Sequence, residues 1–447
     1  MSNKKMLIFV SSTGNGKLGN DGNNNKYYFV ELKEDNTLYC EWGRIGTKTP
    51  QHSTKSNCNI KDFNKVIKSK TSKGYVEAKV DLDTQDCKIA IKGNLLEIAM
   101  QQINFSDQES KKLIEHLVEQ NIHNIISNTN IKFDIDTGYF KTPLGIIKKE
   151  AILEAKKVLD ELSLFVNSDN LKNIKDLNLI SDISIKDKYI KLNEKYFTYV
   201  PTKLKNLRDL NLLLHSQQQL DEQYNICDAL LSSIDIVEEE KLKQIKKNEF
   251  KENKIIEKVF DTTIELLKDK KEIKRIETYF EKSKNTNHGY NVNNVKIKNI
   301  YKIKLKNEEI EFKKDMKNIM ELWHGTKVAN ILSIMKSGLL MPKLSPGQVT
   351  GYMFGQGLYF SNQSTKSLNY CDGMYWSNNN KQKKIYMFLA SVAMGNYLVP
   401  SNSTSKNHPK EYDSYWAQGK KSGVLNDEMI VFKNNQIKLE YLLEIEL

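Results

Sequence analysis

Three short motifs in the last part of the chain constrain its fold more than any other feature. Leu322-Trp323-His324-Gly325-Thr326 comes first. Next is Gly351-Tyr352-Met353-Phe354-Gly355-Gln356-Gly357-Leu358-Tyr359-Phe360, with Lys366-Ser367-Leu368-Asn369-Tyr370-Cys371 directly behind it. Near the C-terminus, Asn426-Asp427-Glu428-Met429-Ile430-Val431-Phe432 sets a lone glutamate at the head of an apolar strand. A glycine lets backbone approach a ligand closely because no Cβ intervenes. The tyrosines offer flat faces for ring stacking, and one carboxylate can stabilise charge that develops during a reaction.

The 447 residues suggest two to four domains. Hydrophobic content of 39% and charged content of 28% are ordinary for a soluble globular protein. Such a length buries real cores without disulfide staples. The net charge of +12 favours a polyanionic partner, nucleic acid or a membrane surface. Composition offers an alternative, because an AT-rich genome also enriches Lys, Asn and Ile.

The five cysteines, Cys40, Cys58, Cys87, Cys227 and Cys371, are odd in number and scattered, with no Cys-x-x-Cys. This fits a reducing compartment and excludes ordinary zinc-finger spacing. The histidines show no metal spacing either, so no metal is expected. No run approaches the ~18 apolar residues of a membrane span. Met6–Val10 is too short for a signal-peptide core and no cleavage site follows it, so it reads as a first strand. The chain is expected to be intracellular.

Residues 1–80 read as β-rich, with strands over Met6–Val10, Tyr27–Leu32 and Leu38–Trp42 and a helix over Asp62–Ser69. Gly14-Asn15-Gly16-Lys17-Leu18-Gly19 matches a dinucleotide-binding fingerprint. That motif needs a helix opening at its glycines; an Asn-rich stretch and another strand follow instead, so Gly14–Asn25 is expected as a loop.

Residues 94–236 read as helical. Leu95, Leu96, Ile98, Ala99 and Ile103 have helical spacing, and Ser106-Asp107-Gln108-Glu109 reads as a capping box before Leu113, Ile114, Leu117 and Val118. Lys148–Leu162, Leu210–Leu214 and Tyr224–Leu231 add further helical segments. Residues 237–257, rich in Lys and Glu, read as a solvated helix or charged linker. Beyond them Val295–Leu305, Lys384–Val392 and Ile437–Leu447 look like strands, and Val328–Lys336 like a helix.

The three C-terminal motifs resemble the NAD-binding site of the poly(ADP-ribose) polymerases. Glu41-Trp42-Gly43-Arg44-Ile45-Gly46, with Asn23–Tyr28 before it and Gln51-His52-Ser53 after it, resembles a WGR domain, the module that accompanies the DNA-break-dependent branch. Lys141-Thr142-Pro143-Leu144-Gly145 and Lys195–Pro201 resemble the family's helical regulatory domain. The resemblance therefore implies a multidomain α+β protein. Its parts are a β-rich WGR domain over residues 1–85, an all-α regulatory domain over 94–236, a charged linker over 237–257, and a mixed α/β ADP-ribosyltransferase domain with a β-sheet core over 258–447.

It also implies a function: DNA-break-activated transfer of ADP-ribose from NAD+, as polymer, to protein acceptors including the enzyme itself, with release of nicotinamide. Transfer of single units, or a non-catalytic DNA-end-binding scaffold, are the alternatives. The implied protein is a monomer without DNA, has no membrane partner, and sits in the nucleus if eukaryotic or the cytoplasm or nucleoid if prokaryotic or viral.

Breaking the bond to the nicotinamide nitrogen removes the ring's positive charge, so the departing base needs no proton. One carboxylate then suffices, unlike the two of an O-glycosidase. By resemblance Glu428 is that carboxylate, bonded to the nicotinamide-ribose 2′-hydroxyl, and the catalytic set is Glu428, His324 and Tyr359. His324 would hold the cofactor by a hydroxyl of its adenosine-side ribose, and Thr326 would also bind the cofactor. Gly325 and Ser367 would grip the carboxamide, Tyr359 and Tyr370 would stack about the ring, and Lys366 would approach the acceptor or the cofactor.

In the WGR domain Trp42, Arg44, Asn25, Lys26, Lys68 and Lys70 are the candidates for contact with DNA ends or nicks, including a 5′-phosphate; Trp42 serves equally as a core residue. Three departures stand out, one of them Tyr75 in the WGR domain, where a Trp is common. The family usually reads Asn-Glu-Tyr where this chain has Asp427-Glu428-Met429, and the stretch before Glu428 is short, roughly thirty residues after Gly395.

Overall fold

The computed structural model describes residues 3–11, 24–45, 47, 49–78, 80–82, 95–129, 131–134, 140–142, 145–166, 182–200, 213–249, 258–285, 295–341, 353–372, 374, 384–402 and 410–446. These form two compact units. The described residues of Met1–Asn94 and His123–Glu238 make the first, and those of Leu95–Ile122, Glu239–Leu344 and Val349–Leu447 the second.

The first unit opens with strands β1 (Asn3–Ser11), β2 (Asn24–Leu32), β3 (Leu38–Arg44) and β4 (Gln51–Lys55), helix α1 (Ile60–Thr71) and strand β5 (Val76–Glu77). They form one antiparallel sheet in the order β4-β3-β2-β1-β5. Period-2 alternation sends Leu7, Tyr28, Val30, Leu38 and Cys40 to one face, where Phe63 of α1 closes the core. The helix starts where Asn59 and Asp62 cap one another: the Asn59 side chain accepts from Lys61 N at 2.8 Å, and Asp62 accepts from Asn59 N at 3.0 Å. All three expected strands and the expected helix are present. The glycine-motif stretch, residues 14–19, lies outside the described residues.

Strand β6 (Val80–Asp81), helices α2 (Leu95–Gln102) and α3 (Gln108–Asn128), and strands β7 (Lys132–Phe133), β8 (Phe140–Thr142) and β9 (Gly145–Ile147) follow. The helical region is thus not purely α, since a small sheet ordered β6-β9-β8-β7 is built into it. The cap of α3 also differs from expectation. Asp107, not Ser106, holds the helix start: its carboxylate accepts from Ser110 N at 2.7 Å and Ser110 Oγ at 2.8 Å, and from Leu266 N at 3.0 Å. A carboxylate with two oxygens meets three donors that one hydroxyl could not.

Helices α4 (Lys149–Val166), α5 (Ile183–Tyr199) and α6 (Gln217–Glu249) complete the helical region. Ala151, Ile152, Ala155, Val158, Leu159 and Leu162 form the buried stripe of α4, which packs on α5. One expectation is corrected here. Leu213 and Leu214 are buried but not helical, because Asn193 Oδ1 accepts from Leu214 N at 2.8 Å and Tyr189 OH donates to Leu214 O at 2.9 Å, holding the segment open. Of the two forms expected for the charged segment from 237, solvated helix or linker, it takes the helix up to Glu249, because α6 continues through it. Lys and Glu are good helix formers, so a charged stretch extends the helix where no apolar stripe is needed. Residues 250–257 and Pro143, Leu144 and Pro201 lie outside the described residues.

The second unit continues with strand β10 (Thr262–Leu266), helix α7 (Lys270–Lys282), strand β11 (Lys296–Leu305), helix α8 (Lys306–Glu311), strand β12 (Ile319–Gly325) and helix α9 (Val328–Ser337). Strand β13 (Leu358–Phe360), helix α10 (Ser364–Leu368) and strands β14 (Lys384–Ala393), β15 (Tyr397–Leu398), β16 (Ser414–Ala417), β17 (Glu428–Val431) and β18 (Ile437–Glu446) end it. One sheet runs β10-β11-β18-β14-β12 and a second β13-β17-β16-β15. Strand β14 is buried over Ile385–Ala390, the continuous apolar run of a strand covered on both faces. Trp323 in β12 bridges to Ser361 after β13, and this pair of backbone bonds joins the sheets where the motif residues lie.

Among the described residues no helix is long and apolar enough to cross a membrane. Cys40, Cys58, Cys227 and Cys371 are buried free thiols.

Candidate active site

Strand β12 carries His324 and Gly325 as its last two residues, opposite Phe388 and Met387 of β14. A Cβ on Gly325 would lie 1.8 Å from the carbonyl oxygen of Ser367 and 3.2 Å from Cys371 Sγ. Only glycine lets the strand end touch helix α10. The Ser367 hydroxyl donates to Trp323 O at 2.9 Å, which ties the second motif to the first from the other direction. Thr326 Oγ1 accepts from Asn330 Nδ2 at 3.2 Å. Helix α9 begins just beyond, its Val328 N–H donating to the buried carboxylate of Asp372 at 2.5 Å.

His324 is fixed by its neighbours. Its Nδ1 lies 2.9 Å from Tyr359 O, so Nδ1 carries the hydrogen, and its ring packs 5.2 Å from Phe360. Burial lowers its pKa below the usual imidazole value, outweighing the opposite pull of that carbonyl. A neutral ring donating from Nδ1 leaves Nε2 as an acceptor.

Tyr359 sits in β13 opposite Ile430 of β17. Its hydroxyl donates to Gly355 O at 2.8 Å and accepts from Phe354 N at 3.0 Å. Gly355 has φ +87°, a left-handed turn that brings its carbonyl round to the phenol.

Glu428 opens β17 and is buried, and Lys366 Nζ lies 2.6 Å from its Oε1. A buried carboxylate is costly unless paired, and here the pairing cation comes from α10. Burial alone would lower the Lys366 pKa, but Tyr370 and Glu428 outweigh it and the ammonium is held charged. Lys366 also lies 5.4 Å from the ring centre of Tyr370 and 3.4 Å from its hydroxyl, and Tyr370 is exposed.

The fold thus gathers His324, Gly325, Thr326, Tyr359, Lys366, Ser367, Tyr370 and Glu428 around the two joined sheets. Sequence reasoning missed the residues that support them. Asn285, behind α7, donates from N to Thr365 Oγ1 and from Nδ2 to Asn426 Oδ1, both at 2.9 Å. Ser283 Oγ accepts from Trp323 Nε1 at 3.0 Å. Asp427 accepts from three donors. Asn285 and Ser283 belong to no recognisable motif; only Asp427, inside the third motif where the family usually has Asn, was visible as a signal.

In the first unit, Trp42 stacks on Tyr28 with ring centres 5.5 Å apart and 14° between planes, and its Nε1 donates to Gln51 Oε1 at 2.7 Å. Arg44 is exposed at the end of β3, opposite Lys26 of β2. Lys68 is exposed. Lys70 is half-buried, with Nζ 3.8 Å from the Tyr28 ring centre, and burial lowers its pKa. The Asn25 side chain lies outside the described residues.

Comparison with protein-family models finds three matches in order: the WGR domain over residues 16–81, the poly(ADP-ribose) polymerase regulatory domain over 107–260 and the poly(ADP-ribose) polymerase catalytic domain over 270–424. Among curated relatives, the protein mono-ADP-ribosyltransferase PARP3 of Homo sapiens is 24% identical over 96% of this chain and 86% of its own length. Poly [ADP-ribose] polymerase 2 of Homo sapiens is 24% identical over 95% of this chain and 77% of its own length. Poly [ADP-ribose] polymerase 1 of Caenorhabditis elegans is 26% identical over 95% of this chain but only 48% of its own length. With all three domains present in the family's order and the motif residues gathered at one place, the chain belongs to the poly(ADP-ribose) polymerase family and is an NAD+ ADP-ribosyltransferase that carries a WGR domain.

Proposed function

We propose that the enzyme is silent until its WGR domain meets a DNA end or nick, and that it then builds poly(ADP-ribose) on protein acceptors, itself included. The buried Glu428 carboxylate held by Lys366 is the observation that carries the catalytic half of this reading. NAD+ would lie with its carboxamide on the Gly325 backbone and the Ser367 hydroxyl. Because that hydroxyl already donates to Trp323 O, it meets the carboxamide as an acceptor of the amide N–H, or rotates to donate. His324 Nε2 would accept a hydroxyl of the adenosine-side ribose, the role its neutral Nδ1–H form leaves open. Thr326 lies beside it, and Tyr359 and Tyr370 would flank the nicotinamide.

Glu428 would accept the 2′-hydroxyl of the nicotinamide ribose, which lets positive charge build at the anomeric carbon as the nicotinamide leaves. It would then polarise the incoming hydroxyl of the acceptor. Lys366 holds the carboxylate in place until substrate hydroxyls replace part of its contact. The test is Glu428→Gln, which keeps the shape and loses the charge. It should bind NAD+ as before and lose turnover by about 10²–10³-fold. Long polymer made at the wild-type rate by this variant would overturn the assignment.

We further infer that residues 1–85 read DNA, residues 94–236 restrain the transferase domain of residues 258–447, and α6 carries the chain between them through residues 237–249. Support for a restraint comes from the second unit. There the Asn121 amide of α3 donates to Ala329 O at 2.9 Å, and His116 packs 5.8 Å from Tyr386. Transfer of single ADP-ribose units is the second reading. The specific observation in its favour is the changed residues on either side of Glu428, Asp427 and Met429, together with the short stretch before them.

A further inference from the structure

Glu428 stands where its strand is least supported. It is the first residue of β17 and pairs with Ala417 of β16, whereas β13 on the other side reaches only to Met429. What holds the chain immediately ahead of Glu428 is Asp427. Its carbonyl oxygen accepts from Ser361 Oγ at 2.8 Å. Its Oδ2 accepts from Trp416 Nε1 at 2.9 Å and from Asn362 Nδ2 at 3.3 Å, and its Oδ1 from Gly419 N at 2.9 Å. Trp416 belongs to β16, and Asn362 follows β13. Gly419 opens the tight turn that closes on Val424, where Lys420 N donates to Val424 O at 3.0 Å. One side chain therefore ties two strands and a turn to the residue before Glu428.

The three groups are all donors, and both carboxylate oxygens are used. An asparagine has one oxygen and one NH2, so whichever way it turned, an N–H would face an N–H. The aspartate that replaces the family's usual asparagine and the donors around it thus form one matched arrangement. Asn362 is matched on one side only. With its NH2 turned to Asp427, its Oδ1 is buried without a hydrogen-bond partner.

We propose that Asp427 is a positioning residue: its carboxylate clamps the open end of β17 and so sets the aim of the Glu428 carboxylate at the ribose. The proposal rests on Glu428 being the catalytic carboxylate. It makes the acid at position 427 a requirement of this chain's own surroundings and not a neutral exchange.

The experiment compares full-length wild type, Trp416→Phe, Asp427→Asn and the double variant. It measures KM for NAD+, kcat per active site counted with a nicotinamide-mimicking inhibitor, and the thermal transition. Asp427→Asn should lower kcat by about tenfold or more while KM stays within about twofold, since a small misplacement of a reacting group costs rate before affinity. Trp416→Phe removes one donor and keeps a ring, so its kcat should fall only about threefold.

In the double variant the amide introduced at position 427 can turn its oxygen to Gly419 N–H and its NH2 to Asn362, whose own amide reverses to offer the unused Oδ1. The kcat of this variant should therefore match that of Trp416→Phe and stand above that of Asp427→Asn, a non-additive rescue. A merely structural role would lower the thermal transition and the count of active sites but leave kcat per site unchanged. Wild-type kcat in Asp427→Asn, or a double variant worse than both singles, overturns the proposal. Should Asp427→Asn fail to fold, the double variant against Trp416→Phe decides: matched kcat supports the clamp, and a tenfold further loss overturns it. Failure of the underlying reading shows separately, as retained turnover in Glu428→Gln.

Discussion

At the scale of single residues, carboxylates that are buried or half-buried do different work according to what surrounds them. Glu428 has a lysine at 2.6 Å, and Asp427 has three N–H donors. Glu308 of α8 has less. Its Oε2 accepts from Leu439 N at 2.8 Å, and Gly338, at φ +73°, leaves room where a side chain would collide with its Oε1. Burial pushes its pKa up to about 7; the Leu439 N–H and Lys438 oppose the rise, while Glu440 and Glu309 add to it. The unfolded chain ionises Glu308 near its ordinary value, so the native state binds the extra proton between about 4.5 and 7. Stability from this site is present at low pH and is lost as pH rises through about 7. Glu308→Gln keeps an acceptor for Leu439 N without the charge. Its thermal transition should exceed that of wild type by several degrees at alkaline pH, and the gap should close as pH falls towards the unfolded value; a constant gap across pH would refute the linkage.

At the scale of elements, the sequence was legible where chemistry or periodicity is local. Strands β1, β2, β3, β11, β14 and β18 follow from alternating or continuous apolar runs, and α1 and α4 from their buried stripes. His324, Tyr359 and Glu428 stand out as candidates because each sits in a short motif. What stayed hidden depends on partners far apart in the chain. Lys366 of α10 meets Glu428 of β17, and Asn285 meets Asn426 across 141 positions. No local pattern encodes such pairs. The α3 cap moved from Ser106 to Asp107 because a distant donor, Leu266 N, recruits the carboxylate.

The WGR sheet belongs to this scale as well. Trp42 stacks on Tyr28 and Arg44 is exposed at the end of the same strand, so one residue supports the face from which the other projects. Trp42→Ala with Arg44→Ala should abolish stimulation by broken DNA and leave DNA-free activity untouched. In the wild type, binding should weaken steeply with added salt, as release of counterions from phosphates requires. Full stimulation of the double variant, or DNA binding indifferent to salt, would contradict this.

At the scale of the whole molecule, three domains of one family follow one another in a single chain, and the reading of them makes a claim about coupling. A DNA reader, a helical restraint and a transferase are worth joining only if occupancy of the first changes the activity of the last. Tenfold stimulation needs only about 1.4 kcal/mol of coupling, within what a few differential contacts supply. The second unit already ties α3 to the transferase elements through Asn121 and His116, contacts of the kind such coupling would act upon. The most direct measurement is to incubate the full-length protein with labelled NAD+, with and without nicked or broken DNA, and to size the products. The account predicts near silence without DNA, stimulation of at least about tenfold with it, and long polymer on the protein itself. Equal turnover in both samples would contradict the claim of control by DNA, and single ADP-ribose units as the sole product would contradict the claim of polymer.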